Sequence, residues 1–426
     1  MPRRPRPLVL PLVLLAALAL SGTGPAPAAT AVTGAVTAPA PGTYVPITPV
    51  RALDTRVAVG IPTRTPVPGG GIVPVDTTRV AGLPATGVGA VVVTLTVTAP
   101  QAAGYLTAWA DDEDMPATSS LNWAPQQTVA NTAVVRVGQD GRLLLESGSA
   151  APAHLVVDVE GYVAAGKPAT AGAYTPMSPQ RVLDTRKAVG IATTTPLPPT
   201  SSTRLTLGGH GGPAAGAGAV VLNLTATAGT QTGYVALGGK PVPPSGGSVL
   251  TWRPGQTVAS LVVAPLAPDG SVTLYVASVG SVHLVADLVG VLTPGAGTDP
   301  GTTTVALPYR QLDTRAPGAT FGALAPRTSR PVSMAAGPLA VAPGTVSAVL
   351  VTVTVTNTRA GGYLTGYASG GRVPTASLVN WATGQTVSAT VLLPVGPDGR
   401  IALWNGSVGA ADVVVDLSGT VAAAVG

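Results

Sequence analysis

One short segment of this 426-residue chain occurs three times. It reads Arg51-Ala-Leu-Asp54-Thr-Arg56, then Arg181-Val-Leu-Asp184-Thr-Arg186, then Arg310-Gln-Leu-Asp313-Thr-Arg315. The starts lie 130 and 129 residues apart. The same landmarks follow each start in the same order: Tyr105, Tyr234 and Tyr363 after a glycine, then Trp123, Trp252 and Trp381. A Gln-Thr-Val comes next, then Asp140-Gly141, Asp269-Gly270 and Asp398-Gly399. Each copy closes on an apolar run with a central carboxylate, Asp158, Asp287 or Asp416. A period of this length exceeds a solenoid repeat or a propeller blade and matches an ordinary domain. The chain is therefore one domain-sized module written three times.

Between the landmarks, β-branched runs such as Ala90-Val-Val-Val-Thr-Leu-Thr-Val-Thr98 end in apolar/Thr alternation, the period of a strand with one buried face. With 54 glycines and 43 prolines, nearly a quarter of the chain consists of residues that punctuate rather than continue structure. They gather in segments such as Pro66 to Gly71 and Gly208 to Gly218, leaving the strand-forming runs intact. Low charge, 10% of residues, and positive mean hydropathy oppose disorder. In the first module the pattern predicts eight strands, near 44–54, 72–76, 90–98, 104–109, 119–124, 128–137, 142–147 and 153–162. The Asp-Gly pairs predict hairpin turns at positive φ. The expected fold is all-β: three tandem β-sandwich, jelly-roll-like domains over 43–163, 174–292 and 303–426. The short linkers predict beads tethered closely.

Arg3, Arg4 and Arg6 precede an apolar run from Leu8 to Leu20, followed by small residues, and this reads as a signal peptide over 1–31. The mature chain is thus expected to be secreted or held non-covalently at the cell wall, with no membrane segment after cleavage. Removing those three arginines lowers the net charge from +5 to +2. No basic run tracks phosphates, so nucleic acid is not an expected partner. An exported chain without cysteine has no disulfide to stabilise it, and each module must fold on its own core. The Ala-, Gly-, Val-, Pro- and Arg-rich composition, poor in Lys, reads as high-GC coding from an actinobacterium.

The recurring charges predict a structural lock joining the first and last strands of each module. It is expected to involve Asp54, Arg56 and Asp158, then Asp184, Arg186 and Asp287, then Asp313, Arg315 and Asp416, because a carboxylate in an apolar strand needs a partner. His154 and His283 stand in the closing strand of two modules, with Asp412 in the third, so they are expected to be structural. The acidic run Asp111 to Asp114 reads as a solvated loop, since the matching loops carry Lys240 and Arg372. Neither a cofactor nor a metal site is predicted. Thiol, G-x-S-x-G, H-E-x-x-H and Walker A signatures are absent, and three histidines supply little acid–base chemistry, so the chain is not expected to be an enzyme.

Two readings of the aromatics stand side by side. Tyr105, Trp123, Tyr234, Trp252, Tyr363 and Trp381 could stack sugar rings, as secreted sandwiches often do, or the tryptophans could fill the cores. The motif starts, the Gly104–Thr107 and Gly362–Thr365 segments and the closing His154-to-Tyr162 strand resemble a set of actinobacterial exported repeats carrying the Arg-x-Leu-Asp-Thr-Arg signature. Those repeats stand alone or are appended to cell-wall and secreted hydrolases. The resemblance implies location and modularity but no activity. The expected function is a non-catalytic module binding cell-wall or extracellular polysaccharide. The alternatives are a structural or adhesive spacer acting through surface proteins or self-association, and a hydrolase with an unrecognised site.

Overall fold

The computed structural model describes residues 42–165, 172–207, 216–238, 248–294 and 301–423. The expected signal segment, Lys240 and the glycine-rich run around His210 lie outside the described residues. In the first module the strands are β1 (Gly42–Asp54), β2 (Ile72–Asp76), β3 (Val88–Thr98) and β4 (Gly104–Ala110). They continue as β5 (Leu121–Trp123), β6 (Val129–Arg136), β7 (Arg142–Ser149) and β8 (His154–Ala165). One sheet runs β1-β8-β3-β6 and the other β2-β7-β4-β5, all antiparallel. This is the strand order of a jelly roll.

The second module repeats the order as β9 (Gly172–Asp184), β10 (Ser201–Thr206), β11 (Ala219–Thr227) and β12 (Gly233–Leu237). It closes with β13 (Leu250–Trp252), β14 (Val258–Pro265), β15 (Ser271–Ser278) and β16 (His283–Pro294). The third contains β17 (Thr303–Asp313), β18 (Ser329–Ser333), β19 (Val346–Thr356) and β20 (Gly362–Ala368). It ends with β21 (Val379–Trp381), β22 (Val387–Pro394), β23 (Arg400–Asn405) and β24 (Asp412–Ala422). No α-helix occurs among the described residues, and no helix there is long and apolar enough to cross a membrane.

Gly141, Gly270 and Gly399 have φ of 81°, 73° and 73°, the positive values the Asp-Gly pairs predict. The turns are not hairpins, however. β6 pairs with β3 while β7 pairs with β2 and β4, so the chain crosses from one sheet to the other at this point. A tight turn fixes the reversal of direction; whether its two arms pair is set by the sandwich.

Each module has its own core, gathered around Trp123, Trp252 or Trp381. The modules are nevertheless not beads. A further cluster joins Tyr44 and Val92 of the first module, Tyr174, Val221, Leu261 and Val263 of the second, and Leu350 of the third. The equivalent strands β6, β14 and β22 pack against one another, while β1 meets β14, β9 meets β22 and β17 meets β6. The contacts run head to tail and close after three, a pseudo-threefold ring within one chain. Gly42 pairs with Thr303 and Tyr44 with Gly172, which links the three β1-type sheets at their starts. All described residues fall in one compact unit.

This packing explains why β3 mixes two sequence patterns. Val91, Val93, Leu95 and Val97 point into the module's own core, and Val92 points the other way into the shared cluster. Thr94 and Thr96 lie on that second face and are also buried. The sheet has no solvent face, so its near-continuous apolar half lies where three modules meet.

Candidate functional site

The lock forms in all three modules, with one member the alternation of strand residues does not reveal. In the first module Arg51 grips Asp158 with two hydrogen bonds, Nε to Oδ1 at 2.5 Å and Nη2 to Oδ2 at 3.1 Å. Its Nη1 donates to Asp54 Oδ2 at 2.7 Å. Arg181 holds Asp287 and Asp184 in the same way, and Arg310 holds Asp416 and Asp313. Arg56, Arg186 and Arg315 close the outer side, each with Nε and Nη2 on the Asp two residues earlier. In a regular strand Arg51 and Asp54 would face opposite ways. A bulge between Arg51 and Leu53 brings them together, and Arg51 comes directly opposite Asp158 across the ladder. The same irregularity recurs in β9 and β17.

The electrostatics divide by strand. Burial pushes the Asp54 carboxyl up, but hydrogen bonds and charge from Arg56 and the charge of Arg51 outweigh it and hold it low. Burial likewise opposes the fall at Asp184, where Arg186 and Arg181 bring it down to about 2. At Asp158 and Asp416 burial wins over the paired arginine and the net shift is upward. The carboxylate that ends the first strand is thus held low in all three modules, and in the first and third the closing-strand carboxylate is pushed up.

The histidines have a structural place. Thr55 Oγ1 accepts from the Leu155 backbone N–H at 3.1 Å and lies 2.9 Å from His154 Nδ1. Thr185 and His283 repeat this at 2.8 Å. In the third module the same hydroxyl position donates to a carboxylate, Thr314 to Asp412 Oδ1 at 2.7 Å, so an acceptor can stand where the other two modules have an imidazole nitrogen. Burial, with the charge of Arg186, lowers the His283 pKa.

The tryptophans lie inside the modules. Trp123, Trp252 and Trp381 are 4%, 1% and 6% exposed. Their indole N–H groups donate to the Ala102, Gln231 and Ala360 carbonyls at 3.0, 2.9 and 2.9 Å. In modules built mainly from Ala, Val and Leu, one large ring fills the space between the sheets. The tyrosines separate from them. Tyr105 and Tyr363 are 41% and 39% exposed, and Tyr234 is half-buried. The Tyr105 ring lies over Gly148 and the Tyr363 ring over Gly406, so closely that a Cβ on either glycine would overlap the ring. One face of each ring is therefore covered by backbone while the other stays open. In the acidic run, Glu113 pairs with Arg136 and Asp112 accepts from the Gln139 N–H, so these carboxylates tie down the neighbouring turn.

One carboxyl has no counterpart in the other modules. Glu160 on β8 is fully buried, accepts from the Thr94 hydroxyl, and leaves Oε2 without a partner. Burial drives its pKa up to about 8, and the nearby Asp158 charge adds to this. An unfolded glutamate titrates near ~4.3, so the folded state holds a proton that the unfolded state has released across the interval between. Stability therefore falls as pH rises from about 4.5 towards about 8. Glu160→Gln keeps the shape and cannot ionise. It is expected to melt like the wild type near pH ~4.5 and at a higher temperature above pH ~8. Parallel pH profiles for the two proteins would refute this.

No family model matches the chain, and no curated protein matches it. Among solved structures, one match is to the atomic structure of Sulfolobus turreted icosahedral virus. It has 10% identity, 90% of this chain and 92% of that chain covered, and a TM-score of 0.17. Another is to an archaeal viral protein described by a triple jelly-roll fold and turret assembly, at 10% identity, 90% of each chain covered and a TM-score of 0.16. Likeness at these scores carries no argument.

Proposed function

We propose that this chain is a non-catalytic exported protein of the cell envelope or matrix, acting as a rigid three-module body that binds extracellular polysaccharide. What supports this reading is the separation of the aromatics. The recurring tryptophans and the Asp–Arg sets are used up in holding the fold, while Tyr105 and Tyr363 keep an open ring face on the outer sheets. Such faces suit sugar rings, whose axial C–H groups stack on aromatic π-systems. A second reading, a structural or adhesive body working through protein contacts, is favoured by the burial of all three recurring tryptophans. Co-sedimentation of the mature protein with purified cell walls and insoluble polysaccharides separates the two. Retention at low salt supports glycan binding. Failure to be retained by any of them, together with concentration-dependent self-association, moves the function to protein contacts.

A further inference from the structure

The ring closure brings the lock of the third module beside the exposed tyrosine of the first. The seam from second to third module is tied by the Asn223 side-chain amide donating to the Ser377 carbonyl. The ring closes where the third module meets the first, and here Arg310 lines a cleft together with Tyr105, Asn122, Glu146 and the Met115–Ser119 loop.

At one ladder position the module that lines this cleft differs from the other two. Glu146 sits opposite Thr107 on the ladder, whereas Tyr275 and Trp404 stand opposite the equivalent Ala236 and Thr365. Glu146 Oε2 is buried and has no hydrogen-bond partner. An acceptor left in that condition costs free energy until a donor arrives. Arg310 spends one N–H on each of two Asp416 oxygens and makes a long contact to Asp313, leaving two of its five N–H groups unspent. The Asn122 amide donates to Ser119 and Ser388, leaving its carbonyl as an acceptor. The open face of Tyr105 forms a wall of the same cleft.

We infer that the seam between the third and first modules is the saccharide site: the sugar ring stacks on Tyr105, and its hydroxyls donate to Glu146 and Asn122 and accept from Arg310. The inference rests on the polysaccharide reading above and narrows it. Asp416 and Asp313 already neutralise Arg310, so the uncompensated charge in the cleft is that of Glu146. A neutral or amino sugar fits, and a polyuronate or phosphate-bearing polymer is repelled. Because Glu146 occurs once, the chain carries one such site rather than three.

Co-sedimentation of the full mature chain with chitin, cellulose and a cross-linked polygalacturonate tests this. The wild type is expected on chitin or cellulose and not on polygalacturonate. Tyr105→Ala and Glu146→Gln should each weaken retention about tenfold, and each more than Tyr363→Ala does. Near-UV circular dichroism checks that the variants are folded, and the near-isosteric Glu146→Gln carries the test if Tyr105→Ala is not. Wild-type retention of both seam variants, or an equal loss with Tyr363→Ala, overturns the single seam site and leaves polysaccharide binding standing. No retention of the wild type on any polymer or on cell walls overturns both.

Discussion

Trp252→Ala is expected to lower the free energy of unfolding by about 4 kcal/mol, the largest loss from any single aromatic truncation here. Trp252 is the least exposed of the three recurring indoles and the largest fully buried side chain among the described residues. It packs among Val235, Val249, Leu250, Val262 and Val276 between the two sheets. Removing it forfeits the transfer free energy of the ring and leaves a cavity that rigid, hydrogen-bonded sheets cannot close. It also strands the Gln231 carbonyl that the indole N–H satisfies. Denaturant unfolding checks this, with Tyr105→Ala as the exposed comparison, expected to cost far less. A Trp252→Ala loss under about 1 kcal/mol would show that the indole is not a core plug.

The second large effect belongs to the lock. Arg181→Ala removes both hydrogen bonds from Asp287, a carboxylate only 2% exposed, and is expected to cost about 3 kcal/mol. The cost comes chiefly from leaving a charge buried without its partner, not from losing a favourable pair. Arg186→Ala makes the contrast. Its side chain is 44% exposed, and without it Asp184 still accepts from Arg181 Nη1 and from the Arg186 backbone N–H, so no buried charge is stranded and the loss should be under about 1 kcal/mol. Asp184 carries its own pH signature. Its pKa falls from an ordinary carboxylate value to about 2, so its contribution is present above pH ~4 and is lost as pH falls towards 2. Equal losses for Arg181→Ala and Arg186→Ala in thermal or denaturant melts would show that depth does not govern the lock.

Much of a single module can be read directly from its residues. Alternation in β3 and the positive-φ glycine after Asp140, Asp269 and Asp398 locate strands and turns within about three residues, because both depend on neighbours along the chain. The need of Asp158 for a cationic partner was likewise legible, since an apolar strand offers a carboxylate nothing else. Arg51 was hidden from the alternation rule by the bulge beside it, and the choice between hairpin and sheet crossing at Gly141 was hidden because both begin with the same turn.

The candidate site was the least legible part. Tyr105 could be singled out by its recurrence, but Glu146 and Arg310 lie far from it along the chain and recur in no pattern that joins them to it. Periodicity, propensity and the cost of isolated charge are short-range properties, and they prescribed the jelly roll and its internal lock. Whether a Thr-lined sheet face meets water or a second module, and whether an indole is open or enclosed, depends on long-range packing. That packing closed three modules into a ring, buried Trp123, Trp252 and Trp381, and placed the arginine of the last motif against the first tyrosine.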